Sequence, residues 1–371
     1  MKVKLFYHSI LSDWNHGNAH FLRGLVKELQ ARGISAEVWE EENNWSLQNL
    51  RKEIGDAYLE QLLRKYPEWK PNFYHPEKTN LAEIVREADL VLVHEWNAPA
   101  LVSQMGKLKE QFGFQLLFHD THHRSLTASK EMARYDLSVY DGVIAFGEIV
   151  RDIYLQNGWT QQAWTMHEAA DTRLFRPHPE KKKIGDLVWI GNWGDNERTE
   201  ELIEYLIKPV QELGLRATMH GVRYPEKAIK MLEKAGIHYG GYLPSHLVPE
   251  VLAQYRMTVH VPRRPYVEAL PGIPTIRPFE ALSCGIPLIS SFWEDSENLF
   301  RVGQDFLMVK DGTEMREAMQ EVLGNEELRE QMIARGIQTI QQRHSCRHRA
   351  DELIAIYQEL LVRNGKITQS L

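Results

Sequence analysis

Apolar residues in this chain fall into short β-rich runs that alternate with amphipathic stretches of helical period. The first such stretch is the clearest, because Ala19, Leu22, Val26 and Leu29 recur on one helical face and Gly33 marks the end. Continuous apolar strands joined by helices are typical of a parallel sheet that is covered on both faces. The pattern therefore predicts a doubly wound, Rossmann-like α/β fold.

The alternation runs through the first half of the chain, stops, and then starts again. Residues 41–80 interrupt it and are predicted to be a helical insertion outside the sheet. Helices are also predicted over 196–213, 225–235, 246–254, 278–284, 313–341 and 347–363. The predicted strands are Val3–Ser9, Ala36–Glu40, Asp89–Glu95, Phe114–Asp120, Gly142–Phe146, Asp186–Asn192, Arg216–Gly221, Ile237–Leu243, Met257–Pro262, Ile286–Ser291 and Asp305–Asp311.

The best candidate for a linker is the segment Asp171–Asp186, which carries two prolines and a charge run without periodicity. A chain of 371 residues is long enough for two domains of ~150–200 residues each. Ligands of doubly wound sheets bind beyond the carboxyl ends of the strands. We therefore expect two tandem domains that face a cleft.

Composition excludes several classes of protein. Apolar residues make up 43% and charged residues 26%, the net charge is −7, and no basic tract exceeds Lys181–Lys183, so no nucleic-acid partner is expected. The first residues do not resemble a signal peptide, and no run approaches the ~20 apolar residues of a membrane span, which leaves at most weak peripheral membrane contact. The two cysteines, Cys284 and Cys346, lack metal spacing, which fits a reducing compartment and predicts a cytoplasmic location.

The stretch IPTIRPFEALSCGIPLISS, residues 273–291, places one carboxylate at the start of a predicted helix. Pro278 suits the first turn, Glu280 follows in that turn, and Gly285 ends the helix before a strand. A carboxylate there repels a phosphate but accepts hydrogen bonds from a vicinal diol such as a ribose, and Arg277 offers forked donors to a diphosphate. The alternative is a solvated Glu280 that pairs with a surface arginine.

The stretch LVWIGNWGDNERTEELIEYL, residues 187–206, joins a buried strand to a helix through Gly191, Asn192 and Gly194. Glycines after a strand let the backbone approach a ligand, and a helix N-terminus favours an anion. Arg198 lies in the first turns of the predicted helix, where a cation is unfavourable unless a phosphate is near. The alternative is an ordinary turn with Arg198 on the surface.

Histidines follow two strands of the first half. In SDWNHGNAHFLRGL, residues 12–25, a backbone would approach a ligand at Gly17, and His16 and His20 are four residues apart. The stretch FHDTHHRS contains His119, Asp120, His122, His123 and Arg124. These side chains suit either a metal site, although the HExxH pattern is incomplete, or hydrogen bonds to a sugar and a diphosphate. For His122 and His123 an ordinary polar loop is the favoured interpretation.

The stretch HVPRRPYVEALPG, residues 260–272, is predicted to be a strand end followed by a proline-punctuated loop. Long loops at the carboxyl ends of strands often carry function, and this loop contains Arg263 and Arg264. The alternative is that both arginines are simply solvated.

Taken together, these stretches resemble the two-domain nucleotide-sugar glycosyltransferases of the GT-B fold, most closely the CgeB-like branch near the GT4 group. The resemblance covers the whole chain and is carried by HGNAHFLRGLVKELQARG, DTRLFRP, GYLPSHLVPEVLAQYRMTVHVPRRPY and GIPTIRPFEALSCGIPLIS, of which the last is the most specific. It implies that residues 1–172 form an N-terminal acceptor-side domain and residues 173–346 a donor-binding domain. It also implies that the last helix, within 347–371, packs back on the first domain.

The resemblance implies a role for individual residues. Glu280 would bind the ribose, and the catalytic pair would be Arg198, which neutralises the diphosphate, and His119, which contacts the donor sugar. Where the GT4 group has a second glutamate, eight positions before Glu280, this chain has Gly272, which leaves the sugar open. The other donor contacts that the resemblance implies are Gly17, and Tyr242 and Leu243 of the base-binding loop. Gly191, Asn192, Thr275 and Arg277 are further candidate donor contacts from their positions in the quoted stretches.

The implied reaction transfers a hexosyl group from a UDP-, GDP- or dTDP-linked sugar to a hydroxyl of a glycan or small-molecule acceptor, in bacterial-type glycan biosynthesis. Retention of configuration is expected from the GT4 resemblance, and no obligatory metal or cofactor is expected because a metal-binding DxD loop is not found. If the reaction inverts, the candidate bases are Asp13, His16, His20 and Asp120. The alternatives are a nucleotide-sugar epimerase or hydrolase of the same fold, a histidine-based metal-dependent hydrolase, and a sensor without turnover. The oligomeric state is left open.

Overall fold

The computed structural model describes residues 1–365, which divide into two compact units. The first unit is Met1–Glu168 together with the segment that starts at Cys346, and the second is Ala169–Ser345. The last part of the predicted helical segment 347–371, residues 366–371, lies outside the described residues. Each unit is an α/β domain built on a parallel sheet, so the predicted fold class is confirmed.

The described strands of the first unit form a seven-stranded parallel sheet in the order β3-β2-β1-β4-β5-β6-β7. The order reverses between β1 and β4, where Val3 pairs with Leu90. Crevices at such a reversal, at the carboxyl ends of the strands, are the usual ligand sites of doubly wound sheets. The strands are β1 Lys2–Phe6, β2 Ser35–Glu41, β3 Asn72–Tyr74, β4 Leu90–His94, β5 Gln115–Asp120, β6 Gly142–Ala145 and β7 Ala163–Thr165.

The described strands of the second unit form a six-stranded sheet in the order β10-β9-β8-β11-β12-β13. All of its pairings are parallel, and the order reverses between β8 and β11, where Met257 pairs with Leu187. The strands are β8 Gly185–Ile190, β9 Ala217–His220, β10 His238–Tyr239, β11 Tyr255–His260, β12 Leu288–Ser291 and β13 Leu307–Val309.

Helices connect the strands of both sheets. In the first unit they are α1 Ala19–Ala31, α2 Trp45–Ile54, α3 Asp56–Lys65, α4 Leu81–Val85, α5 Pro99–Phe112, α6 Arg124–Thr127, α7 Ser129–Met132 and α8 Glu148–Gln156. In the second they are α9 Thr199–Leu202, α10 Lys208–Leu213, α11 Glu226–Lys234, α12 Val248–Leu252, α13 Arg264–Ala269, α14 Ile276–Cys284, α15 Gly312–Gly324 and α16 Glu326–Arg343. The helix α17, Cys346–Arg363, belongs to the first unit. A π-helical segment, Ile203–Ile207, joins α9 to α10.

Apolar strands form the centre of each unit because both faces of the sheet are covered. Leu90–His94 and Gln115–Asp120 are buried throughout, and each fully buried leucine, isoleucine or valine contributes ~1.5–3 kcal/mol. The helix α17 packs against α1, where Cys346 Sγ lies 3.8 Å from the Phe21 carbonyl oxygen. Within the described part of the chain, no helix is long and apolar enough to cross a membrane.

Every strand predicted from the apolar runs is present, although most are shorter than predicted. The prediction that residues 41–80 lie outside the sheet was wrong in one place, because Asn72–Tyr74 pairs with β2 as an edge strand. The strand Ala163–Thr165 was also missed, since three residues are too few to show a period. The predicted loop after β11 contains the helix Arg264–Ala269, which begins with Pro265 in its first turn.

Candidate functional site

Arg198 bridges the carboxyl ends of β8 and β11, where the strand order of the second sheet reverses. Its guanidinium donates to the backbone oxygen of Val261 at 2.9 Å and to that of Asn192, while its Nε has no hydrogen-bond partner within residues 1–365. No carboxylate lies within ion-pair distance of Arg198 in the part of the chain that the structure describes. Burial and the neighbouring charge of Arg263 lower the pKa of Arg198 to about 9, which leaves it a cation at neutral pH. The site therefore holds a half-buried positive charge.

The glycines predicted to approach a ligand pack against Arg198 itself. A Cβ at Gly194 would lie 2.8 Å from Arg198 Nε, and a Cβ at Gly191 would lie 3.3 Å from its Nη2 and 2.8 Å from the Trp189 ring. The guanidinium lies 5.0 Å from the centre of that ring. A side chain at either glycine would therefore crowd the arginine in this position. Asn192 has a local role as well, because its Oδ1 accepts from the Val222 backbone N–H at 3.1 Å.

Arg277 and Glu280 form an ion pair within α14. Glu280 is only 3% exposed, so the alternative of a solvated glutamate is wrong, although its pairing with a nearby arginine is present. The helix begins at Ile276, which places Glu280 in the second turn rather than in the predicted first turn. Gly285 ends the helix in the left-handed conformation, as predicted. A cavity of about 20 Å³ beside the pair has room for about one water.

The segment before α14 has unusual backbone geometry. Thr275 has φ +61° and ψ −176°, a region that β-branched residues rarely occupy. Gly272 has φ +85°, and a Cβ there would lie 2.6 Å from the Glu297 carboxylate oxygen Oε1. The position where the resemblance expects a glutamate is therefore bordered by a carboxylate from another segment.

His260 belongs to this site but was not among the predicted site residues. It ends β11, is 3% exposed, and places its Nδ1 2.9 Å from Ser290 Oγ. Burial and the positive charges of Arg198 and Arg277 lower its pKa to about 3, so the imidazole is neutral beside two arginines. A histidine at the end of an apolar strand was the sequence signal that could have found it.

Two other loops carry predicted contacts of the second unit. Tyr242 and Leu243 were predicted to end a strand, but β10 stops at Tyr239 and both are half-buried loop residues beyond it. Arg263 is paired with Glu197 at 2.8 Å, and Arg264 is paired with Glu201 at 2.6 Å. Neither arginine is therefore merely solvated.

In the first unit, the loop between β1 and α1 is fastened to β2. The buried carboxylate of Glu40 accepts from Ser9 Oγ at 2.8 Å and from the backbone N–H groups of Ile10 and Leu11. Arg23 donates from the other side to the carbonyl oxygens of Ile10 and Leu11. Gly17, in the same loop, is exposed. The loop is thus held rigidly at the carboxyl edge of the sheet.

The predicted histidine cluster is more buried than a contact with the donor sugar would require. His119 is fully buried, and its Nδ1 hydrogen-bonds the hydroxyl of Tyr7. Burial lowers the pKa of His119 to about 3, so it is neutral and its unpartnered Nε2 lies inside the domain. Gly17 and His119 both lie in the first unit, and their assignment to donor binding stays a prediction.

Among the candidate bases, Asp120 is fully buried and accepts from the Tyr154 hydroxyl at 2.8 Å and the His122 backbone N–H at 2.9 Å. Burial raises its pKa to about 6. Sequence reasoning missed Glu95, a buried carboxylate that pairs with Arg124 at 3.0 Å and whose pKa burial raises well above the usual value. It directly follows an apolar strand, which was the available signal.

The other candidate bases differ in position. Asp13 is half-buried and pairs with Arg23 at 3.4 Å, and His20 is buried within α1. His16 precedes α1, so the four-residue spacing of His16 and His20 does not place both on one helical face. Over residues 1–365, no group of three or more histidine, cysteine, aspartate or glutamate side chains is arranged to hold a metal ion. The metal-dependent hydrolase therefore gains no support from the geometry.

Comparisons with known proteins agree with the glycosyltransferase resemblance. A family model described as glycosyl transferase-like matches residues 198–355, which is less than half of the chain and begins at Arg198. The comparison with curated protein sequences gives no significant match.

Solved structures match over nearly the whole chain. Sucrose-phosphate synthase from Thermosynechococcus elongatus has a TM-score of 0.68 at 14% identity, over 98% of this chain and 100% of that one. A glycosyltransferase from Rickettsia africae ESF-5 has a TM-score of 0.68 at 12% identity, over 97% and 98%. HepE from Anabaena in complex with UDP has a TM-score of 0.66 at 12% identity, over 96% and 99%. The fold is thus that of the GT-B glycosyltransferases, with two doubly wound α/β domains.

Proposed function

We propose that this protein is a glycosyltransferase that moves a hexosyl group from a nucleoside-diphosphate sugar to an acceptor hydroxyl. The observation that carries the proposal is Arg198, a half-buried cation without an ion-pair partner among the described residues, at the reversal of the second sheet. A desolvated charge without a counter-charge is costly, and a diphosphate would supply that counter-charge. The second unit is accordingly the proposed donor domain.

The proposed chemistry is stabilisation of the leaving group. Breaking the glycosyl phosphate bond places negative charge on the diphosphate, and a fixed cation aimed at it lowers the barrier. Arg198 is already oriented by hydrogen bonds to two backbone oxygens, so little reorganisation is needed. Arg277 would assist, and its ion-pair partner Glu280 is the proposed acceptor for the ribose hydroxyls.

The finer assignments are part of the proposal. The motif FEALSCGIPLIS supports a GT4-like, CgeB-like, bacterial-type enzyme that retains configuration without a metal. In a retaining transfer the departing phosphate takes the acceptor proton, and no side-chain base is required. UDP is the first donor nucleotide to test, because HepE, which shares the fold, was solved with UDP and glucose. Both cysteines are buried and neither forms a disulfide among the described residues, which supports a reducing, cytoplasmic setting.

Nucleotide binding tests the proposal. Titration calorimetry with UDP, GDP, dTDP and uridine is expected to show one preferred diphosphate, and Arg198→Ala should weaken its binding ~10- to 100-fold. Uridine binding should change little because uridine lacks the diphosphate. Arg264→Ala is the matched control, since Arg264 is already paired with Glu201. Wild-type protein that binds none of these nucleotides, or an Arg198→Ala variant that binds like wild type, would overturn the proposal.

Turnover separates the alternatives. Release of nucleoside diphosphate with an acceptor-dependent glycoside identifies a transferase, and NMR of the new anomeric carbon gives the stereochemistry. A changed sugar on an intact nucleotide identifies an epimerase, and stoichiometric bound zinc or manganese revives the metal-dependent hydrolase. Binding without turnover over a broad acceptor panel identifies a sensor.

A further inference from the structure

Three strand ends of the first sheet carry a cluster of aromatic side chains that the donor site does not use. Trp45 follows β2, His8 follows β1 and Trp96 follows β4. The His8 ring lies 5.0 Å from the Trp45 ring and 6.4 Å from the Trp96 ring. Trp14 packs edge-on against Trp45 at 5.9 Å. The cluster borders the reversal between β1 and β4, the ligand position of a doubly wound sheet.

The tryptophans are unusually open for their size. Trp45 is 39% exposed and Trp96 is 38% exposed, although large aromatic side chains are usually mostly buried. Arg124 lies over the Trp96 ring at 4.6 Å and is itself paired with Glu95. Two exposed ring systems beside a buried polar residue offer flat faces to a ring-shaped ligand.

The cluster also contains unused hydrogen-bonding groups. His8 is 7% exposed, and neither its Nε2 nor the Nε1 of Trp14 has a partner among the described residues. A buried polar group without a partner is rare in a native protein, because it forfeits its hydrogen bonds to water. A bound molecule that offers both donors and acceptors would satisfy them.

The charge at the cluster selects the kind of molecule. Burial lowers the pKa of His8 to about 3 and that of the adjacent His16 to about 4, so both imidazoles are neutral. A neutral imidazole has one donor and one acceptor nitrogen, which matches a hydroxyl group better than a phosphate, which only accepts. The nearby guanidinium of Arg124 is already paired with Glu95. The cluster therefore suits an uncharged ligand rich in hydroxyl groups.

We propose that Trp45, Trp96, His8 and Trp14 form a binding subsite for an uncharged pyranose ring of the acceptor. The apolar C–H face of the sugar stacks on a tryptophan, and its hydroxyls bond His8 Nε2 and Trp14 Nε1 once the rings that cover these two buried atoms move aside. This assignment rests on the proposed function only in identifying the bound sugar as the acceptor, because carbohydrate binding is inferred from the side chains of the cluster alone. None of these four residues is among the candidate bases predicted from the sequence.

Direct binding of defined sugars tests the subsite. Methyl β-D-glucopyranoside, cellobiose and methyl β-D-glucuronide are titrated into the full chain, followed by tryptophan fluorescence and by saturation-transfer NMR. The neutral sugars should bind, with transfer strongest to ring C–H protons of one face, and the glucuronide should bind more weakly. Trp45→Ala and Trp96→Ala should each weaken binding ~5- to 10-fold. Trp45→Phe, which keeps an aromatic face, should retain most of it.

The matched control is Phe73→Ala, which removes an equally exposed aromatic side chain, 39%, from β3 of the same unit. It should leave sugar binding unchanged. The proposal is overturned if neutral sugars do not bind, if both tryptophan variants bind like wild type, or if the glucuronide is preferred. UDP titration of the same protein tests the donor site separately. Sugar binding without UDP binding would refute the proposed function and support the subsite. UDP binding without sugar binding would support the proposed function and refute the subsite.

Discussion

The carboxylate of Glu297 occupies the space that a side chain at Gly272 would enter. A Cβ at Gly272 would lie 2.6 Å from Glu297 Oε1 and 2.7 Å from its Cγ. The backbone N–H of Gly272 also donates to the Glu294 oxygen at 2.7 Å, so the two segments are fastened together. A glutamate at position 272, as the resemblance expects, would require Glu297 to move and would adopt a φ of +85° that side chains rarely occupy. The chain instead brings a carboxylate to this place from a segment 25 residues further along.

Replacement of Gly272 is expected to be costly for two separate reasons. Gly272→Ala places a Cβ at φ +85° and against Glu297, and should lower the free energy of unfolding by ~2–4 kcal/mol. Gly303→Ala is the matched control, because Gly303 has φ +81° but no atom within 4 Å of a Cβ, and should cost only ~1 kcal/mol. Urea denaturation measures both. Equal losses in the two variants would show that Glu297 does not confine position 272.

The strained backbone at Thr275 is expected to be retained for binding rather than for stability. Thr275→Gly relieves φ +61° and should leave the free energy of unfolding unchanged or raise it by up to ~1 kcal/mol. Thr313→Gly, at an exposed position in the first turn of α15, should instead lower it by ~0.5–1 kcal/mol. If Thr275 serves the donor, nucleotide affinity should fall in the Thr275→Gly variant while its stability does not. If Thr275→Gly loses as much stability as Thr313→Gly, the backbone at Thr275 is not strained.

The contributions of Arg277 and Glu280, the ion pair in α14, to the free energy of unfolding are expected to be strongly coupled. Arg277→Ala removes a cation from a carboxylate that is 3% exposed, and should lower the free energy of unfolding by ~1–3 kcal/mol. Glu280→Gln in the same chain removes the charge and should recover part of that loss. The double-mutant cycle, measured by urea denaturation, gives the coupling energy. Strictly additive losses would mean that the pair contributes nothing to the fold.

Glu40 is expected to make stability depend on pH. Burial raises its pKa to about 7, against the opposing effect of the donors at Ile10, Ser9 and Leu11. Because the folded-state pKa is above the usual 4.5, the folded state binds the proton more tightly, and this contribution to stability is lost as the pH rises through 7.

Glu40→Gln removes that titration. Its melting temperature relative to wild type should therefore rise between about pH 5 and about pH 8. Glu77→Gln, at an exposed glutamate, controls for the substitution itself. A difference between Glu40→Gln and wild type that does not change with pH would contradict the expectation.

Most strands of both sheets were predictable because central strands that are buried on both faces form apolar runs that can be recognised from the sequence. The helix end at Gly285 was also predictable, since a left-handed helix end favours glycine. The edge strand Asn72–Tyr74 could not be predicted from the sequence, because it is three residues long and its position depends on pairing with β2. Local pattern thus identified the core elements and missed the edge.

By itself, the sequence determined the doubly wound class of the fold, the two-sheet organisation, and Arg198, Arg277 and Glu280 as neighbours of the carboxyl strand ends. Only the tertiary structure decided that Arg198 has no ion-pair partner among residues 1–365, that Glu297 borders Gly272, and that His8 lies beside Trp45. The physical reason is separation along the chain. Periodicity and capping act over a few residues, whereas these contacts join strand ends that lie far apart in sequence and meet only when the sheets have formed.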